Sequence, residues 1–383
     1  MEIFNLLIRA IRQRLGARLV RSCALLLCGG LLGTSVFAQS VLFINPGKSD
    51  EDFWVACSDA MQKAADSLGM QFRVQYAERE RLAPLDMAHA LAQLPASARP
   101  DYVIFSNDYS TAPAILKALD GTGIRAFMAF SGIPSGLRAQ VGAPREVFPF
   151  WLGSLEPNAE DAGYLTAKAL IKKGMQVPGL KDAQGRLHMI AIAGDRSTPV
   201  SVARNRGMRK AVEKMGGAVV LHQEVYGEWR EDKAMDQAQV LFRRYPQARL
   251  VWAGNDLMAF GAMEAWRRQG GKPGRDALFS GVNTSARAFD LLRSGELTAL
   301  AGGHFMAGAW AMVMLYDHYH GLDFATEGLE LQRDMFWLFT AQSSLKFEKR
   351  FASSTEKLDF RPFSKHLNPA LTHYQFELER LLK

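Results

Sequence analysis

The sequence predicts an α/β protein built as two similar lobes, each a doubly wound parallel sheet. Three observations carry this expectation. Apolar runs of four to seven residues recur without alternation, which suits strands covered on both faces of a sheet. A longer amphipathic run follows each, the pattern of parallel α/β units. Two such series of similar length fill a chain of 383 residues, more than one core usually organises. No repeat in the sequence itself aligns one series with the other.

The first series starts with the strand VLFIN from Val41 and a helix, FWVACSDAMQKAADSLG, ended by Gly69. QFRVQYA and APLDMAHALAQL follow as strand and helix, then DYVIFSND with TAPAILKALDGTG, then the strand RAFMAFS. After Trp151 the pattern resumes with the helix AEDAGYLTAKALIKKG. The strands LHMIAIAGD, AVVLHQEVYG, ARLVWAGND, DALFSGVN and LTALAGG then alternate with helices, the last being AGAWAMVMLYDHYHG. From Ser343 the chain has few apolar runs and many charges, and it closes on a short amphipathic stretch, HYQFELERLLK.

The first 38 residues have a basic start, an apolar run from Ala24 to Leu32, and small residues ending at Ala38. That is the pattern of a secretory signal peptide cleaved after Ala38. The alternative is an uncleaved anchor, but the run is shorter than the ~20 residues that span a bilayer. Cys28 follows three leucines, a poor context for lipidation, which stays open. Five arginines and Glu2 leave with this segment, and the formal charge falls from +7 to +3. The basicity is thus largely a targeting signal, and nucleic acid is not an expected partner. Cys57 is the only cysteine left, which leaves no internal disulfide and no cysteine cluster for a metal. It reads as a small buried apolar residue. The expected location is the periplasm.

In open parallel sheets, ligands bind beyond the carboxyl ends of the strands. There the sequence places Phe53 and Trp54, Asn107 and Asp108, Ser131, Asp195, Arg204, Trp229, Asn255, Asn283 and His304. Amide, carboxylate and guanidinium groups offer paired donors and acceptors. Aromatic rings cover the C–H faces of a cyclic ligand. Together they suit a small polyhydroxylated molecule, a sugar or cyclic polyol. Any single Asn or Asp reads equally well as the cap of the helix that follows. Phe53 and Trp54 are neighbours, so they do not both point one way, and at least one faces something other than the core.

No G-x-S-x-G, C-x-x-C, H-E-x-x-H or phosphate-loop lysine motif occurs. The glycine-rich GGKPGRDALFSG precedes a strand, whereas a dinucleotide loop follows one. His318 and His320 are two apart and do not share a helical face. No catalytic residue, metal ligand or cofactor is assigned, and an enzyme is not expected. A hydrolase stays open as a rival, because triads are spatial.

Five stretches then carry a resemblance: NPGKSDEDFWVACSDAMQKAADSLGM, DYVIFSNDYSTAPAILKAL, SVARNRGMRKAV, VWAGNDLMAFGAMEAW and FSGVNTSARAFDLLRSGELTALAGG. The chain resembles the type I periplasmic binding proteins over most of residues 40 to 330. It is closest to the sugar-binding group that includes ribose-binding proteins and the periplasmic autoinducer-2 receptor. The resemblance implies two lobes closing over a ligand, joined by a hinge of three segments. It implies an N-terminal lobe of residues 39–153 plus 304–333, a C-terminal lobe of 154–303 plus 334–350, and an extension over 351–383. Phe53 and Trp54 would be first-lobe aromatics. Arg204 would grip ligand hydroxyls from the second lobe, Trp229 would form its aromatic wall, and Asn255 would supply an amide.

The departures are equally specific. Ser131 stands in AFSGIP where sugar binders carry an Asp-Arg pair, Asn283 stands where they carry aspartate, and Gly303 with His304 stands where they carry glutamine. A pocket changed in this way should prefer a ligand other than ribose. The implied function is capture of a small polar ligand by a monomer, for an inner-membrane ABC importer. The alternative partner is a membrane sensor kinase or cyclase.

Overall fold

The computed structural model describes residues 38–351 and 357–381. The expected leader and its cysteines lie outside the described residues, apart from Ala38. Strand β1 (Ser40–Asn45) is buried almost throughout, as its unbroken apolar run requires. It lies between β2 (Gln71–Tyr76) and β3 (Tyr102–Phe105), followed by β4 (Arg125–Ala129), β5 (Trp151–Pro157) and β11 (Glu330–Arg333), all parallel. The second sheet repeats the order with β7 (Val219–Tyr226), β6 (Leu187–Ala193), β8 (Leu250–Ala253), β9 (Leu278–Val282) and β10 (Ala299–Gly302). Its last strand, β12 (Trp337–Leu338), pairs antiparallel with β10. In each sheet the strand order reverses beside the first strand, the point where open sheets form a crevice.

Helix α1 (Asp52–Leu68) buries Trp54, Cys57, Met61, Ala64, Ala65 and Leu68, a seam at helical spacing, and stops at Gly69 with φ 69°. It packs on α10 (Ala307–Tyr319), where Gly308 leaves room for Met61. Cys57 is buried, and burial raises its thiol pKa well above the usual range. Three strands escape the sequence reading: β5, β11 and β12.

The chain passes between the sheets three times, at Asn158, at Gly303 and at Asp334–Phe336. The passages touch one another. The Asn158 backbone N–H donates to Arg333 O at 2.8 Å, and its side chain donates to Asp161 and Asp334. Gly303, at φ 108°, lies against the Met335 carbonyl. Beyond β12, α11 (Ala341–Phe351) packs on α9 (Ala286–Ser294) of the second sheet through Phe347 and Phe289. Residues 357–376 pack on the first lobe, and Leu381 O accepts from Arg350 of α11. Phe360, Phe363 and Phe376 surround Trp310 of α10. The buried Asp317 accepts from Ser364 Oγ, Lys365 N and Tyr374 Oη. The charged extension thus covers a helix with almost no solvent face. No helix among the described residues is long and apolar enough to cross a membrane.

Candidate functional site

The carboxyl ends of both sheets face each other across a cleft. Its inner end narrows to a cavity of about 40 Å³, and its mouth holds about 780 Å³. Phe53, Trp54, Asp108, Phe130 and Ser131 line the inner cavity from the first lobe. Arg204, Trp229, Asn255 and Asn283 line it from the second, and His304 enters from the Gly303 passage. Nine of the eleven residues singled out from the sequence therefore meet at one cavity.

The other two lie elsewhere, and each for a local reason. The Asn107 side chain is turned into its own lobe: Nδ2 donates to Gly132 O at 2.7 Å, and Oδ1 accepts from Ala112 N at 3.0 Å. It holds two loops together and lines no part of the cavity. Asp195 accepts from Ser197 N and Oγ, at 2.7 and 2.6 Å, and lines the mouth. There it faces Arg81 of the opposite lobe at 3.7 Å.

Helix capping and cavity lining are not exclusive. Asn255 Oδ1 accepts from Met258 N and so caps α8 (Asp256–Arg268), while Nδ2 approaches the Trp229 carbonyl at 3.4 Å. Asn283 donates to Asp256 at 2.8 Å, and Ser285 Oγ donates to the same carboxylate at 2.6 Å. Burial pushes the Asp256 pKa up to about 6 despite these bonds.

The buried Arg204 guanidinium donates to Gly254 O at 2.7 Å and to His304 Nε2 at 2.9 Å. Burial lowers its pKa to about 10. The His304 ring stacks between Phe53, with centroids 4.6 Å apart, and Phe336 at 4.4 Å. Burial and the Arg204 charge hold its pKa well below the ordinary value, so the ring is neutral. Phe53 and Trp54 both border the cavity. Phe53 covers His304, and Trp54 is locked edge-on against Phe130.

Sequence reasoning missed Glu51, Arg79, Ser106, Phe130 and Val200 of the lining. Arg79 donates to Glu51 through Nε at 2.8 Å and faces Asp108 at 4.0 Å. It follows β2, so the strand-end rule points to it as well. Ser106 Oγ donates to Asp108 at 2.6 Å. Phe336 sits in the third passage, where no sequence pattern marks it.

Backbone strain is concentrated here. Glu78, Arg79, Tyr109, Ser110, Phe130, Glu228, Trp229 and Asn283 all have positive φ. Non-glycine residues rarely adopt it, and strain of this kind persists where surrounding structure enforces it. All eight follow carboxyl ends of parallel strands. At the mouth the lobes touch directly: Ser110 Oγ donates to Ser197 O at 2.8 Å, and Arg81 donates to Ser197 Oγ at 2.9 Å.

Five cavity-lining residues carry buried polar atoms with no hydrogen-bond partner: Trp54 Nε1, Ser131 Oγ, Arg204 Nε, Trp229 Nε1 and His304 Nδ1. Buried polar groups are nearly always paired. Here five unpaired ones belong to residues around one space. Ser131 Oγ makes no hydrogen bond among the described residues.

Two α/β lobes of this topology are thus joined by three passages around a polar cleft. Residues 41–323 match the model of the periplasmic binding protein domain. The chain belongs to the periplasmic binding protein family, with its type I fold. A periplasmic sugar-binding protein from Pseudomonas fluorescens is 38% identical, over 90% of this chain and 100% of that one, with a TM-score of 0.80. A twin-arginine translocation pathway signal protein from Burkholderia phytofirmans is 22% identical over 89% and 99%, with a TM-score of 0.71. An ABC transporter solute binding protein from Bacillus halodurans C-125, with bound myo-inositol, is 17% identical over 82% and 99%, with a TM-score of 0.64. The last two show the fold alone. No curated protein matches the chain.

Proposed function

We propose that this protein captures a small, polar, sugar-like ligand in the periplasm between its two lobes, without catalysis, and delivers it to an ABC importer in the inner membrane. The observation that carries this is the set of orphaned polar atoms contributed by both lobes to one cavity. A ligand that pairs them stabilises the closed arrangement, and hinge closure is then the signal a permease reads. The 38% identical protein from Pseudomonas fluorescens, described as sugar-binding, supports the ligand class.

The test is a calorimetric and thermal-shift screen of sugars, polyols and their acids against the purified protein. A binder is expected to raise the melting temperature, and Trp54→Ala should remove that rise. A ligand whose affinity is unchanged in Trp54→Ala would place binding outside the cleft. Turnover of any compound in the screen would overturn the non-catalytic reading.

A further inference from the structure

The orphaned groups are not evenly divided between donors and acceptors. Because His304 Nε2 accepts from Arg204, the proton of the neutral ring sits on Nδ1. His304 Nδ1, Arg204 Nε, Trp54 Nε1 and Trp229 Nε1 are therefore all donors, and Ser131 adds one hydroxyl. No acceptor-only atom is orphaned among the described cavity residues. A sugar hydroxyl set among these four N–H groups brings a proton of its own, which of the five orphans only Ser131 Oγ can accept. A carboxylate brings two oxygens with about four acceptor positions and no proton.

Charge points the same way. Arg204 is 4% exposed and makes no ion pair among the described residues. A buried charge without a partner costs about several kcal/mol. The acids nearby hydrogen-bond elsewhere, although both act on Arg204 through space: Asp256 accepts from Asn283 and Ser285, and Asp108 accepts from Ser106 and faces Arg79. Arg79 is itself answered by Glu51. Arg204 touches none of these carboxylates directly, so its guanidinium can take a ligand carboxylate as a direct partner beside Gly254 O and His304. A phosphate monoester, at roughly −1.5 to −2, brings more negative charge into a cleft that already holds Glu51, Asp108 and Asp256.

The shape agrees. An inner cavity of about 40 Å³ is far below the few hundred Å³ of a whole ligand site, yet it opens into the 780 Å³ mouth past Arg79, Trp229 and Asn283. We propose, on the reading that this cleft binds a sugar-like ligand, that the ligand is a hydroxylated monocarboxylate. Its carboxylate sits against Arg204, His304 and the two indole N–H groups, and its hydroxyls extend past Asp108 and Asn283 toward the mouth.

Matched pairs test this by calorimetry: D-galacturonate with D-galactose, D-gluconate with D-glucitol, D-glycerate with glycerol, and glycerol 3-phosphate as the dianion. In at least one pair the acid is expected to bind about tenfold or more tightly than its neutral partner. Arg204→Gln should erase that preference. Trp229→Phe keeps an aromatic ring but loses the indole N–H with its pyrrole half, so it should weaken the acid by a larger factor than its neutral partner. It gives the same answer if Arg204→Gln does not fold. Neutral compounds binding as well as acids, still lost in Trp54→Ala, would overturn the monocarboxylate and leave the cleft reading standing. Tighter binding of glycerol 3-phosphate than of D-glycerate would also overturn it. No binding by any compound at millimolar concentration would count against both.

Discussion

Trp54 and Trp229 stand on opposite lobes, yet each rests on a glycine just past its lobe's first strand. A methyl group on Gly47 would fall less than 3.0 Å from Trp54, and one on Gly194 less than 3.0 Å from Trp229. The surroundings of the two indoles differ. Trp54 enters from the first turn of α1 and is wedged among Phe43, Phe53 and Phe130. Trp229 comes from a loop at φ 63°, with the Arg204 guanidinium 5.6 Å from its ring centre. One lobe fixes its wall by core contacts and the other by a strained loop and a cation. The lobes thus reach the same geometry without a repeat in sequence.

That contrast predicts different consequences for the same substitution. Gly47→Ala should push Trp54 against a rigid aromatic cluster, costing about 2 kcal/mol of stability and most ligand affinity. Gly194→Ala should displace the Trp229 loop, with a comparable loss of affinity but less than about 1 kcal/mol of stability. Denaturant melts and calorimetry on the two variants check this. Equal stability losses would mean that both tryptophans belong to the core in the same sense.

A smaller effect separates the mouth from the cavity. The cavity is full of unpaired groups, whereas the mouth is already satisfied by contacts between lobes. Arg81 donates to Ser197, faces Asp195, and lies 4.6 Å over the Tyr109 ring. Its side chain is largely exposed, so the clasp should contribute about 1 kcal/mol or less. Arg81→Ala should raise the dissociation constant by at most roughly fivefold, mainly through faster release. Stopped-flow tryptophan fluorescence separates the two rates. An unchanged release rate would mean that the clasp takes no part in holding the lobes closed.

Much of this was legible because two simple rules act strongly here. Buried parallel strands show as unbroken apolar runs, and ligands meet such sheets at their carboxyl ends, which led to Trp54, Ser131, Arg204 and His304. The same rule applied to β2 leads to Arg79, but β2 is an edge strand only partly buried, so its end stands out less. β11 reads as ELQR because it too is an edge, defined by backbone pairing with β5 rather than by apolar side chains. Asn107 misled because its amide satisfies two neighbouring loops, a demand set in three dimensions. The extension was half legible. Helix α10 is apolar all round, and such a helix needs a cover on every side. Nothing in the charged tail says that Phe360, Phe363 and Phe376 supply it.

The smallest expected effect concerns His304, the one cavity group that belongs to the passage between the lobes. Its pKa lies well below the ordinary value of about 6.5 through burial and the Arg204 charge. The sign follows from which state binds protons. As pH falls through 6.5 the unfolded chain protonates this imidazole and the folded chain does not, so stability is full above 6.5 and declines below it. The loss should be about 0.4 kcal/mol at pH 6.5 and about 0.8 kcal/mol at pH 6. His304→Phe keeps a ring between Phe53 and Phe336 but has nothing to titrate. Burial also holds His222 and His318 below their ordinary values, and they remain in both proteins. The difference in slope between native protein and variant, from melts at pH 7.5 to 6, therefore isolates His304. Identical slopes would mean that the ring takes up a proton in the folded protein, and the donor assigned to Nδ1 would then belong to an imidazolium.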